Sequence, residues 1–518
     1  PLVGTLDGVS VPLSDHLDQL LDIGGRLQVT TPAFLLGRYS DMGWWYYFPV
    51  AFALKTPLPT LLLLAYAFFR IAKLALSNQE TLRARGFDLA ALLVPAAGYF
   101  AIALTTSINL GYRHLLPVLP FLYVLIGVMV AGASAAQPAA GRRGGAVRLA
   151  APLVAVAWLA LATLWIHPHY IAFFNVLAGG PDNGWRALVD SNIDWGQDLG
   201  RLKTWMGDHN VGRVWLSYFG EGRPEYYGIA YDGLDSWPPR LMNPAARPFY
   251  PHDPAPGWYA ISATTLQGVH FADHDQFRFF RDRSPEAKLG YSIFLYHVEP
   301  RGAPVDLLLA GTQMDALATA DFARLGTNNV TPRWFDPAQA LLLPDGGAPL
   351  WLLLPADGDL AAPLRPFLSY GPAAEASGDD YRLYRAEAEP PAAGRALLLD
   401  GHEVAFGEES WARQDGRTIA TLTIWRQGGA PRPAKIFLHV LDADGQLVAQ
   451  WDGLGAAWEG WRTGDTLMQW AAVTLPETAP AGNYRVVAGL YDPTTNQRWR
   501  FADGQDGVEL GQFAIALP

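Results

Sequence analysis

Three cationic side chains stand where an anion could be held. Lys55 lies in Ala-Leu-Lys-Thr-Pro, and Arg113 and His114 lie in Gly-Tyr-Arg-His-Leu-Leu-Pro. A guanidinium offers a fork of donors to a phosphate, and an ammonium offers a point charge. Both stretches adjoin long apolar runs, so the anion they suit is a phosphate at a membrane surface. The competing reading is that Lys55 snorkels and Arg113 anchors to headgroups. A second constellation is acidic. The run Asp190-Ser-Asn-Ile-Asp-Trp-Gly-Gln-Asp198 spaces Asp190, Asp194 and Asp198 by four. On a helix these would share one face, fit to hold a divalent metal or to act as acid and base. The competing reading is a solvated, acidic helix start, which the macrodipole favours. No His or Gly-rich loop accompanies the trio, so no metal ligand set is assigned.

Weaker candidates lie elsewhere. His167 and His169 flank Pro168, as a metal pair or as interfacial packing. Trp458 and Trp461, in Ala-Trp-Glu-Gly-Trp, could stack on sugar rings or pack within a loop. Asp442 and Asp444 read as turn residues. There is no P-loop, GxSxG elbow, HExxH or dinucleotide fingerprint.

The elements that must position these residues divide near residue 167. Four runs have the length and apolarity to cross a bilayer, which takes about 20 residues. They are Leu58–Leu76, extended by Trp44–Leu54, then Leu89–Thr106, Leu115–Ala131 and Val147–Ile166. Arg70, Lys73, Arg83 and Arg85 mark the link between the first two, and Arg142, Arg143 and Arg148 the link between the third and the fourth. Basic loops stay in the cytoplasm. The segment before Trp44, the 107–114 link and everything after His167 are therefore expected outside. Trp44, Trp45, Tyr46 and Tyr47 form an aromatic belt at that outer face, as do Trp165 and Tyr170. Pro57, Pro59, Pro117 and Pro120 break the helices near their outer ends.

Beyond residue 167 the text changes. Val211–Phe219, Gly257–Thr265 and Leu289–Val298 read as strands, with a helix after Asn183 and another over Phe277–Ala287, giving an α/β layer. A similar block follows, with strands at Val305–Ala310, Pro349–Leu354 and Tyr381–Arg385 and helical patterns at Met314–Leu325 and Pro337–Leu343. From Arg395, short alternating runs split by turns read as a β-sandwich. The expected organisation is an outer loop over 1–43, a transmembrane region over 44–166, α/β regions over 167–300 and 301–390, and an all-β sandwich over 391–518. The fold class is thus an α-helical transmembrane bundle followed by an extracytoplasmic α/β region and a C-terminal sandwich.

Composition agrees with this division. The 518 residues carry a net charge of −11, which is +4 over residues 1–166 and −15 over the rest. The acidic balance argues against nucleic acid as a partner. The absence of cysteine excludes a disulfide scaffold and a Cys-ligated metal. The chain opens at Pro1 without an initiator Met or signal peptide, and is expected to be the C-terminal part of a longer multi-pass protein.

Three stretches together resemble a known family. They are Phe34-Leu-Leu-Gly-Arg-Tyr through Leu54-Lys-Thr-Pro-Leu-Pro59, Gly111-Tyr-Arg-His-Leu-Leu-Pro-Val-Leu-Pro120, and Tyr170-Ile-Ala-Phe-Phe-Asn through Asp198. In this order they resemble bacterial phospholipid-carrier-dependent glycosyltransferases of the GT-C superfamily, similar to protein O-mannosyltransferases and aminoarabinose transferases. The resemblance covers about residues 30–300. It implies an inverting transferase in a bacterial plasma membrane, with its C-terminal domains extracytoplasmic. The donor would be a polyprenyl-phosphate sugar and the acceptor a hydroxyl of a protein or glycan. It also implies a base Asp in a first outer loop upstream of Pro1, so that this chain alone is inactive, and it assigns Lys55, Arg113 and His114 to the lipid phosphate. The rival classes are a non-enzymatic, membrane-anchored protein that binds glycan or a partner, and a lipid or polysaccharide transporter subunit.

Overall fold

The computed structural model describes residues 31–77, 79–135, 142–240, 249–391, 393–407, 410–414 and 416–515. The chain divides into two compact units. One comprises Pro1–Arg240 with Trp258–His297, and the other Leu241–Gly257 with Val298–Pro518.

The first unit begins with a hairpin, β1 (Ala33–Leu35) and β2 (Arg38–Ser40), followed by helices α1 (Tyr47–Lys55), α2 (Leu58–Ser77), α3 (Gly86–Thr105), α4 (Leu119–Ala135) and α5 (Arg142–Ile166). Thr56 is extended and ends α1, as a residue before proline prefers. A 3-10 turn over Tyr112–Val118 leads into α4. Leu58–Leu76, Gly86–Thr105 and Tyr112–Ala131 are long and apolar enough to cross a membrane. Their inward residues Leu64, Ala67, Leu89, Leu125, Ile126 and Met129 form a core. Leu62, Phe69, Val94, Ile102 and Val124 stay exposed, an apolar outer surface suited to lipid. The fourth expected span is helical, but its apolar part, Pro152–Ile166, is shorter than the other three.

The rest of this unit is a five-stranded mixed sheet. Its strands are β3 (Val214–Ser217), β4 (Tyr231–Gly233), β5 (Gly257–Ser262), β6 (Ala287–Leu289) and β7 (Ile293–Val298), in the order β4-β3-β5-β7-β6. Helix α6 (Leu199–Asp208) lays Leu199, Leu202 and Met206 on Val214, Leu216, Ala260 and Leu295. The helix expected over Phe277–Ala287 is a single turn, Arg278–Arg281. Ala287 already belongs to β6.

The second unit contains β8 (Val305–Ala310), β9 (Val330–Phe335), β10 (Ala340–Leu343), β11 (Leu350–Pro355), β12 (Leu368–Tyr370), β13 (Ala376–Ser377) and β14 (Tyr381–Ala388). Strands β9, β8 and β11 are parallel neighbours, and β14 closes antiparallel on β11. Antiparallel sheets follow, one of seven strands and one of four. Two helix expectations fail here. Met314–Leu325 is three short turns, with Leu317 and Ala318 extended between the first and the second. Pro337–Leu343 yields a strand: β10 is buried along its whole length and pairs with Thr466–Thr474. A short, fully buried apolar run satisfies helix and strand patterns alike. Through β10 the second α/β block and the C-terminal antiparallel strands share a sheet, and one hydrophobic core runs from Leu308 to Leu510.

Candidate functional site

The run 189–198 is not an α-helix: a 3-10 turn covers Asp190–Asn192, and the helix starts only after Asp198, at Leu199. Asp190 and Gly196 both adopt left-handed backbone, at φ of 58° and 71°. Either would stop a helix, and for a non-glycine residue the conformation is strained. The side chains instead bond the local backbone. Asp194 Oδ1 accepts from Gly196 N at 3.1 Å, and Gln197 Oε1 accepts from Trp195 N at 2.8 Å. A Cβ on Gly196 would collide with the Tyr218 hydroxyl, so this turn requires glycine. Asp190, Asp194 and Asp198 therefore do not share a helical face, which corrects the expected acidic stripe. Among the described residues no group of three or more His, Cys, Asp or Glu is placed to hold a metal ion.

Each carboxylate has its own surroundings. Asp198 sits at the start of α6, pairs with Arg201 at 2.9 Å and accepts from Ser292 Oγ at 2.7 Å. Asp190 lies 3.3 Å from His270 Nε2, and its backbone N donates to Thr264 Oγ1. The His270 ring stacks with the rings of both Phe219 and Trp237. Asp194 is wholly buried, and its Oδ2 has no hydrogen-bond partner among the described residues. Burial pushes its carboxyl up to about 8, and the neighbouring Asp198 and Asp190 charges add to this against two backbone hydrogen bonds.

Asn192 is the hub. Fully buried, it accepts from Tyr112 N through Oδ1 at 2.9 Å and donates from Nδ2 to the Tyr47 hydroxyl and Val189 O. Its carbonyl accepts from Lys55 Nζ at 2.5 Å. Gly111 must approach closely here, since a Cβ would strike the Ser191 hydroxyl. This hydroxyl donates to Leu110 O at 2.6 Å.

The three cations meet this one segment in different ways. Lys55 is buried. Besides Asn192 O it donates to Ile171 O at 2.7 Å, and it lies 4.3 Å from the Phe174 ring centre. Its ammonium is an internal strut, bonded to two backbone carbonyls, where the sequence suggested a phosphate ligand or a snorkelling side chain. Arg113 is exposed, with its guanidinium 4.5 Å over the ring of Trp195. His114 is half-buried, edge-on to Phe48 and within electrostatic reach of Arg113 and Asp190. Its Nε2 has no hydrogen-bond partner among the described residues.

The remaining candidates pack. His167 Nδ1 contacts the Tyr170 hydroxyl at 2.9 Å, and His169 lies edge-on to Tyr291. In the second unit Trp461 is fully buried and donates to Asp465 O at 3.1 Å, so it is not a stacking surface for sugar. Trp458 is half-buried with its Nε1 enclosed. Asp442 caps its turn by accepting from Asp444 N and Gln446 N. A groove of about 590 Å³ in this unit is lined by residues including Trp351, Tyr370, Arg385 and Glu387.

Sequence reasoning missed Asn192, His270 and Asn175. Asn192 lay inside the acidic run, overshadowed by its carboxylates. Nothing in Gly-Val-His-Phe (268–271) ties His270 to a residue 80 positions earlier.

No family model matches the chain, and no curated protein matches it. Among solved structures, the ApaA protein of Bordetella pertussis aligns with 25% of this chain and 98% of its own, at 18% identity and a TM-score of 0.13. A β-glucuronidase of Ruminococcus gnavus, in complex with D-glucuronic acid, aligns with 27% of this chain and 26% of its own, at 13% identity and a TM-score of 0.09. Scores this low establish no common fold.

Proposed function

We propose that the chain belongs to a membrane glycosyltransferase that moves a sugar from a polyprenyl-phosphate carrier to an acceptor hydroxyl. The observation that carries this reading is the exposed Arg113 guanidinium on Trp195, at the head of an apolar helix long enough to span a membrane. That placement suits the anionic oxygens of a lipid-linked phosphate.

In the reaction the acceptor oxygen attacks the anomeric carbon as the bond from that carbon to the phosphate oxygen breaks. The acceptor proton passes to a general base, and the polyprenyl phosphate leaves with the bonding electrons. Negative charge develops on the phosphate, where Arg113 stabilises it. His114, beside it, is a second donor. The family resemblance puts the base in the first outer loop of such proteins, outside the matching segments. Lys55 acts through the backbone by holding the Asn192 loop under Arg113.

The test is sugar transfer by the whole protein in membranes. Arg113→Ala is expected to lower turnover by about 100-fold, the usual cost of removing one transition-state donor. Its melting temperature should stay near that of the parent, since the side chain is exposed. Undiminished transfer would remove Arg113 from the mechanism. The rival reading, a glycan-binding ectodomain, draws on the groove at Tyr370 and Arg385. Glycan binding by a chain that transfers no sugar would favour it.

A further inference from the structure

The loop that follows α5 inverts the burial pattern of a soluble surface. Over Tyr170–Ala178 the polar Asn175 turns inward with Ala172 and Phe174, while Tyr170, Ile171, Val176 and Leu177 turn outward. Asn175 is buried, and its Nδ2 donates to Ala53 O at 2.6 Å and Thr56 O at 2.8 Å. Its backbone N donates to Leu54 O, and its Oδ1 accepts from Leu177 N. One side chain thus closes the carbonyls left open at the end of α1 and caps the next turn. Ile171 O accepts from Lys55, so the loop is fastened at both ends. The tips this backbone presents are aliphatic: Val176 is 73% exposed and Leu177 62%, with Ile171 and Tyr170 also exposed.

Location decides what covers them. The loop is fastened at Thr56, two residues before the apolar stretch Leu58–Leu76, and it begins four residues after α5 ends at Ile166. It therefore lies at the level of the helix ends. Trp165 and Leu164, on the last turn of α5, are exposed as well. Aliphatic tips flanked by Tyr and Trp at the end of a span are the composition of a membrane interface.

We infer that Tyr170–Ala178 is a membrane-insertion element. Ile171, Val176 and Leu177 enter the acyl boundary of the leaflet nearest the five-stranded sheet's side of the helices, and Tyr170 and Trp165 sit at headgroup depth. The Lys55 ammonium then has a positioning role. It bonds the inserted loop at Ile171 O and the site segment at Asn192 O, and so fixes the height of Asp190–Asp198 against the lipid. This inference needs the spans but not the transfer chemistry.

The absence of native cysteine makes the test clean. Val176→Cys and Leu177→Cys are made singly, spin-labelled and reconstituted in phosphatidylcholine–phosphatidylglycerol vesicles. Collisions with oxygen, enriched among acyl chains, are compared with collisions with a water-soluble nickel chelate. Val94→Cys on α3 is the lipid reference, and Leu447→Cys in the second unit is the aqueous one. Both loop labels should favour oxygen severalfold more than the Leu447 label. Loop labels that favour nickel while Val94 favours oxygen overturn the insertion and spare the spans. Nickel preference at Val94 as well overturns both.

Discussion

Two groups of buried charge, one in each unit, are built on opposite terms. In the second unit Arg333 is bidentate to Asp465, at 2.8 and 2.9 Å, and reaches Asp306 with its remaining arm at 2.5 Å. Asp465 also accepts from Arg462 N, and its carbonyl serves Gln427 N and the Trp461 indole. Desolvation pulls the guanidinium down, but the hydrogen bonds and charges of the two carboxylates outweigh it and its pKa is raised; burial also raises the Asp465 carboxyl, against the hydrogen bond and charge of Arg333. In the first unit Asp190–Asp198 has a strained Asp190, a buried Asp194 with an unmet oxygen, and His114 with an unmet ring nitrogen. At Asp194 desolvation dominates, and it opposes ionisation. Saturated charge ties strands together, whereas a buried polar group with an unmet hydrogen bond costs stability.

That contrast can be broken at Arg333. Arg333→Ala leaves Asp306 and Asp465 buried without their cation, so the second unit should lose about 3–5 kcal/mol. Denaturant unfolding of that unit reads this directly. A loss near zero would mean that water already serves the two carboxylates, and the contrast would vanish. In the first unit the comparable change is Asn192→Ala. It strands Tyr112 N, leaves Val189 O with only the long bond from the backbone N of residue 192, and frees the Tyr47 hydroxyl, for an expected loss of about 2–3 kcal/mol. Thermal melting in detergent measures it. A larger loss than at Arg333 would mean that the Asn192 hub holds its unit together more firmly than the saturated charge holds the other.

Much of the architecture could be read from sequence because it rests on patterns with a period or a length. The apolar runs gave the three long helices. The alternating text after Arg395 gave strands such as Thr418–Gln427 and Gly482–Tyr491. Arg113 and His114 stand at the head of an apolar helix, as their position in the text suggested. What could not be read depends on three-dimensional closure. The spacing of four among Asp190, Asp194 and Asp198 mimics a helix, but the left-handed Asp190 and Gly196 override it. Lys55 looked like a surface cation because its acceptors are backbone carbonyls, which every residue has and no pattern reveals. Pro337–Leu343 misled because four buried residues are compatible with either period. The partnership of Asp190 with His270 joins residues 80 positions apart and leaves no local trace.

Asp194 offers the most direct test of the proposal that this segment serves sugar transfer. Its folded value, about 8, lies above its ordinary value of 3.8, so the folded chain keeps a proton that the unfolded chain releases. Its contribution is therefore fully present below about pH 4 and is lost as pH rises toward 8, at about 1.4 kcal/mol per pH unit. Asp194→Asn, which cannot ionise, removes that slope. The decisive measurement is melting temperature from pH 5 to pH 9 together with sugar transfer, on Asp194→Asn and parent protein in the same membranes. The account predicts a variant that outlasts the parent increasingly as pH rises, and that transfers less. A variant with the parent's pH slope, or one that gains stability and keeps full transfer, would contradict it.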